Sequence, residues 1–171
     1  LDESYPIGLS ESQKIELLQS LALKLMRSNL SSLETSRVDK HFERELNRTN
    51  LPDAVTGDQI RALFVDRAAL LREPIGGEID FAHRTFQEYL AARAVLNADS
   101  LEELLQKASD DQWREAIIAA ASLASLAEQG KLLKWLVQQG NGNMASQVHA
   151  KSQALLSREK NDSNIKNRKY K

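Results

Sequence analysis

Residues 70–92 constrain the fold more than any other stretch. Leu70-Leu71-Arg72-Glu73-Pro74-Ile75 and Glu78-Ile79-Asp80 are short extended segments on either side of Gly76-Gly77. That is the pattern of a β-hairpin, with the glycines supplying the positive φ values of its turn. Phe81-Ala82-His83-Arg84-Thr85-Phe86-Gln87-Glu88-Tyr89-Leu90-Ala91-Ala92 follows without a linker and turns helical. Thr85 and Glu88 stand at capping-box spacing, and Phe86, Tyr89, Leu90 and Ala94 form one face of a helix ending near Asn97. The join puts His83 at the end of a strand and the start of a helix, where unpaired backbone N–H groups attract anions.

Three helices are expected before the hairpin. Ser10 and Gln13 form a capping box, and Ile15, Leu18, Leu21, Ala22 and Leu25 recur at helical spacing, so a helix is expected over 11–28. A second helix is expected between Ser32 and Asn47, its start open because Ser31, Ser32 and Thr35 could each cap it, with the thin stripe Val38, Phe42, Leu46. Thr49-Asn50-Leu51-Pro52-Asp53 reads as a turn. Thr56 with Gln59 opens a third helix carrying Ile60, Leu63 and Phe64 and ending near Ala68. Three helices followed by a two-stranded wing is the order of a winged-helix domain, expected over residues 1–97.

The rest reads as a helical bundle over 98–157. Ser100 with Glu103 opens a short helix bearing Leu101, Leu104 and Leu105. Asp110 or Asp111 caps a longer one bearing Trp113, Ile117, Ala120, Ala121 and Ala124, with Gly130 as its stop. Leu132, Leu133, Leu136 and Val137 suggest another, broken at Gly140-Asn141-Gly142-Asn143, and residues 144–157 are weakly helical. Such short helix pairs suggest the start of a helical array, although no clear repeat is visible. Residues 158–171 are polar and basic and read as a disordered tail. The fold class expected is therefore mainly α.

Several functions are excluded or disfavoured. There is no G-x-x-x-x-G-K-[ST] phosphate loop: Gly130-Lys131 is followed by Leu132, with Ser125 where the first glycine belongs. The chain is therefore not a complete P-loop NTPase. His41, His83 and His149 are too scattered for a zinc motif, there is no cysteine, and no G-x-S-x-G elbow occurs, so the chain alone is not expected to be an enzyme. No apolar run is long enough to span a bilayer, which makes the cytoplasm the expected location. A start at Leu1 rather than Met suggests a piece of a longer protein.

The winged-helix order raises DNA binding as an alternative, with the third helix in the major groove. That helix carries Asp58 and Asp66 against Arg61 and Arg67, and the wing carries Glu73, Glu78 and Asp80 against Arg72. A net charge of -1 adds no attraction for phosphates. Nucleic acid is therefore a disfavoured partner, and a plain protein-interaction scaffold is the other alternative.

The stretch from Leu70-Leu71-Arg72-Glu73-Pro74 through Phe81-Ala82-His83-Arg84-Thr85-Phe86-Gln87-Glu88-Tyr89-Leu90-Ala91-Ala92 resembles the winged-helix segment of NACHT-family NTPases, signal-transduction ATPases related to NOD-like receptors. The F-x-H-x-[ST]-F-Q-E-[FY]-x-A-A pattern carries it, with support from Ser10 to Trp113, including Asp110-Asp111-Gln112-Trp113-Arg114-Glu115. The resemblance implies a NACHT nucleotide-binding core upstream of Leu1, this chain as the winged helix and the start of a second helical domain, and a sensor downstream. It implies that His83 contacts the β-phosphate of ADP in the parent protein, which binds ADP or ATP with Mg and oligomerises when activated. One departure is visible. Many relatives have Ser-Gly where this chain has Ala68-Ala69, so Ala69 is expected to take a helix-terminating position without glycine's freedom at positive φ.

Overall fold

The computed structural model describes residues 8–48, 55–151, 153 and 154. The turn expected at 49–53 and the tail expected at 158–171 lie outside these residues. Among the described residues the chain is mainly helical with one small antiparallel sheet, and it divides into two units, Leu1–Ala94 and Val95–Lys171.

In the first unit, α1 (Glu11–Arg27) starts at the Ser10 capping box, in which the Gln13 N–H donates to Ser10 Oγ at 3.3 Å and the Ser10 N–H to Gln13 Oε1 at 2.8 Å. Two orphan donors of the first turn are thereby satisfied. Asn29, at φ 56°, ends the helix. Leu18, Leu21, Ala22 and Leu25 are buried as their spacing predicts, but Ile15 is exposed and Leu17 is buried instead.

The second helix begins at the last of its three candidate starts. Ser32–Glu34 is a strand, β1, and α2 runs Thr35–Arg48. β1 pairs antiparallel with β3 (Glu78–Phe81), Leu33 opposite Ile79, and the Ser32 hydroxyl donates to Glu78. β3 also pairs with β2 (Leu71–Ile75), giving the sheet order β1-β3-β2. Leu71 faces Phe81 and Arg72 faces Asp80, but Ile75 faces Glu78, so β2 holds one extra residue at a bulge. Pro74 sits in this irregular part of an outer strand, where a missing N–H is tolerated. At the hairpin turn only Gly77 has a positive φ, 90°, not both glycines, and its N–H donates to Glu73 Oε1 at 2.6 Å.

The third helix, α3 (Gly57–Ala62), continues as a π-helical turn over Leu63–Arg67. Ala68 N–H reaches Leu63 O at 3.1 Å and Leu70 N–H reaches Phe64 O at 3.0 Å. Ala69 lies between them at φ 49°, the left-handed conformation expected of it. Leu21 and Leu25, Leu33, Val38 and Phe42, Ile60 and Phe64, and Leu71 and Ile79 are all at most 3% exposed and form the core of this unit. The Phe42 and Phe64 rings meet at 5.8 Å, which ties α2 to the turn after α3. Each such aromatic or aliphatic side chain contributes about 1.5–3 kcal/mol of burial.

In the second unit, α5 (Leu101–Gln106) packs on α7 (Leu126–Gln138), and so does α6 (Arg114–Leu123), which a 3₁₀ turn at Asp111–Trp113 precedes. Trp113, Ile117, Leu104, Leu132 and Leu136 are at most 1% exposed. Ser100 does precede α5, but its hydroxyl donates to Ala98 O rather than closing a capping box. Gly130 does not end α6. The break is at Ala124-Ser125, where Ser125 and Glu128 form a capping box, and Gly130 lies inside α7. Gly140, at φ 73°, follows α7, and residues 142–151 form α8.

Candidate functional site

The strand–helix joint is built by local hydrogen bonds. Ala82 N–H donates to Leu70 O at 3.0 Å, which fixes the exit from β3 against the start of β2. His83 comes next, and α4 runs Arg84–Asn97. The His83 carbonyl accepts the N–H of Phe86 at 3.0 Å and of Gln87 at 3.3 Å, so the backbone of His83 already belongs to the first helical turn. Thr85 therefore lies inside that turn and not at the cap. The expected Thr85–Glu88 box is replaced by an ion pair, Arg84 Nε to Glu88 Oε1 at 3.0 Å, one turn apart. The Glu88 side chain is 8% exposed and that of Arg84 61%, so a nearly buried carboxylate is neutralised by a cation at the surface.

His83 itself is exposed, and its ring has no hydrogen-bond partner among the described residues. Gln87 and Glu88 are buried on the same helix, and Phe86 and Tyr89 are half-buried with rings stacked at 6.5 Å. The joint thus offers one exposed imidazole at the start of a helix. Chemically this arrangement can donate a hydrogen bond to an anion.

The other two histidines lie elsewhere. His149 is exposed on α8. His41 is buried, and its Nε2 meets Ser20 Oγ at 3.0 Å, joining α2 to α1. Burial, then the charge of Lys24, pushes its pKa down to about 4, with Glu45 opposing. His41 is a neutral structural imidazole whose role the sequence did not suggest. It sits at the edge of the α2 apolar stripe, one residue before Phe42, and only its contact with Ser20 marks it. No group of three or more His, Asp or Glu side chains suited to a metal occurs among the described residues.

In the second unit a cavity of about 340 Å³ is lined by Ala108, Asp111, Arg114, Gly140, Asn141 and Met144, among others. The Asn141 amide is already engaged, donating to Ala108 O at 3.0 Å. None of these residues belongs to the joint at His83.

Two of the cations that a DNA reading by α3 and the wing would use are committed within the fold. Arg61 on α3 pairs with Asp39 on α2, Nε to Oδ1 at 2.7 Å, with both side chains about 20% exposed. Arg72 on β2 makes two bonds to Asp80 on β3, at 2.7 and 3.0 Å. Among the described residues no helix is long and apolar enough to cross a membrane. Comparison with protein-family models, with curated proteins and with solved structures finds no match to this chain.

Proposed function

We propose that this chain is the regulatory winged-helix and helical segment of a cytoplasmic NACHT signal-transduction ATPase. In this reading it is not an enzyme by itself. It gates exchange of ADP for ATP, with Mg, on a nucleotide-binding core upstream, and it gates oligomerisation in response to a downstream sensor. The element order supports the winged-helix part: three helices, a wing formed by β2 and β3, and a short strand between the first two helices that joins the wing sheet.

The observation that carries the functional part is the exposed, unpartnered ring of His83 at the start of α4. A free imidazole N–H beside a helix start is ready to meet the β-phosphate of ADP. One charge-assisted hydrogen bond contributes about 1.5–3 kcal/mol, roughly a tenfold or larger bias towards the closed state that makes it.

Pairing of Arg61 and Arg72 within the fold counts against DNA reading by α3 and the wing. The scaffold alternative differs in its consequence for His83→Ala. The switch reading expects the parent protein carrying that substitution to form oligomers in ADP without added ATP, as read by size-exclusion chromatography with light scattering. An unchanged, ADP-held monomer would favour the scaffold.

A further inference from the structure

A row of cations on α2 is used by neither reading. Arg37, Lys40, Arg44 and Arg48 follow one another at spacings of three, four and four residues. At about 100° per residue they fall within roughly 80° of the helix circumference. The apolar stripe Val38, Phe42, Leu46 occupies the other side and is buried. All four cations are exposed, and Asp39, Glu43 and Glu45 lie outside the row.

Lys24 on α1 extends the row. Burial, then the charges of Arg44 and Arg37, lower its pKa, and only Glu45 opposes them. The cations therefore crowd together rather than alternate with acids. Among the described residues Lys24, Arg37 and Lys40 make no ion pair, and Arg44 spends its Nε on the Lys40 carbonyl at 3.0 Å. Arg48 reaches Glu45 at 3.3 Å, a pair with the arginine 75% exposed, which water and salt screen strongly. The whole chain's net charge of -1 conceals this local excess.

We propose that the α2 row, with Lys24, binds the phosphate backbone of double-stranded nucleic acid without reading its bases. From Arg37 to Arg48 the helix rises about 16 Å, a length over which one strand of a duplex presents about five phosphates. Three of the five cations are arginines, whose planar fork suits phosphate oxygens. The row includes no aromatic side chain to stack on unpaired bases and no apolar anchor of the kind a protein partner would bury. Among polyanions these features favour the duplex backbone over a single strand or an acidic protein segment. The site is separate from His83 and from α3.

The test is fluorescence anisotropy of labelled duplexes of unrelated sequence with the 171-residue chain. Arg37→Glu/Arg44→Glu is compared with Lys131→Glu/Lys134→Glu, the same charge change on α7. Poly-glutamate and anionic vesicles serve as competitors, and thermal melting by circular dichroism verifies folding of each variant. The basic residues after 157 are the same in all three proteins. The expected result is sequence-independent binding that weakens roughly tenfold for each doubling of salt, as about four phosphate contacts require. The α2 variant should lose at least tenfold in affinity and the α7 variant less than threefold. Absence of salt-sensitive duplex binding, equal losses in the two variants, or stronger binding to poly-glutamate or vesicles would each overturn the proposal. Should the α2 charge reversal unfold, Arg37→Gln/Arg44→Gln replaces it, with a loss of at least threefold expected and no loss contradicting the site.

Discussion

His41 and Ala69 each hold a conformation or protonation state at a cost. His41 titrates near 6.5 in an unfolded chain and near 4 in the fold, chiefly through burial. Above pH 6.5 neither state carries the proton. As pH falls through 6.5 the unfolded chain takes a proton that the folded one refuses, so stability declines until about pH 4 and the loss is constant below that. The decline is on the order of 3 kcal/mol. Urea titrations at pH 7, 5.5 and 4 measure it, and His41→Gln, which can still bond Ser20, should remove this component. Ala69 sits at φ 49°, a left-handed conformation that costs an alanine about 1 kcal/mol. Ala69→Gly should raise stability by roughly 0.5–1 kcal/mol in the same assay, since glycine's greater entropy loss offsets part of the relief. The Ala69 conformation was expected only through the resemblance, in which glycine stands at this helix-terminating position. The burial of His41 was not legible, since nothing local distinguishes a buried imidazole from an exposed one at the edge of a stripe.

Elements whose signals are local were legible in the sequence, and those that depend on distant pairing were not. The Ser10 box places α1 because it involves only residues three apart. β1 has three residues and holds its conformation through β3, 46 residues further along in the Ser32–Glu78 contact, so nothing local in residues 32–34 marks them as a strand. The Gly130 reading failed differently. A glycine inside a helix costs about 1 kcal/mol, and the Ser125–Glu128 box at the start of α7 outweighs it. Ser125→Ala should therefore lower stability by about 1 kcal/mol. The contact of α3 with α2 is stricter. A Cβ on Gly57 would lie 2.1 Å from Asp39 O and 2.7 Å from Asp39 C, both backbone atoms that cannot yield without moving α2. Gly57→Ala is expected to cost about 3 kcal/mol, seen as a lower urea midpoint, and to break the Arg61–Asp39 pair that spans the same two helices.

At the scale of the whole molecule, two units each carry a buried core, one closed by Phe42 and Phe64 and the other by Trp113. The division falls at Ala94, inside α4, the helix that begins beside His83. The mainly helical class was legible because most segments carry strong 3.6-residue periodicity. The position of His83 at a strand–helix joint was legible too, but its exposure and the Arg84–Glu88 pair that replaces the expected cap depend on side-chain packing around the joint. A switch that moves as a body needs a rigid joint and one contact that differs between states, and the proposal assigns that contact to His83. Calorimetric titration of ADP into the parent's nucleotide-binding core with this segment attached, for wild type and His83→Ala, tests it most directly. The account predicts a loss of roughly tenfold or more in ADP affinity, with the circular dichroism spectrum unchanged. Equal affinities in the two proteins would contradict it and leave His83 as a surface residue of a scaffold.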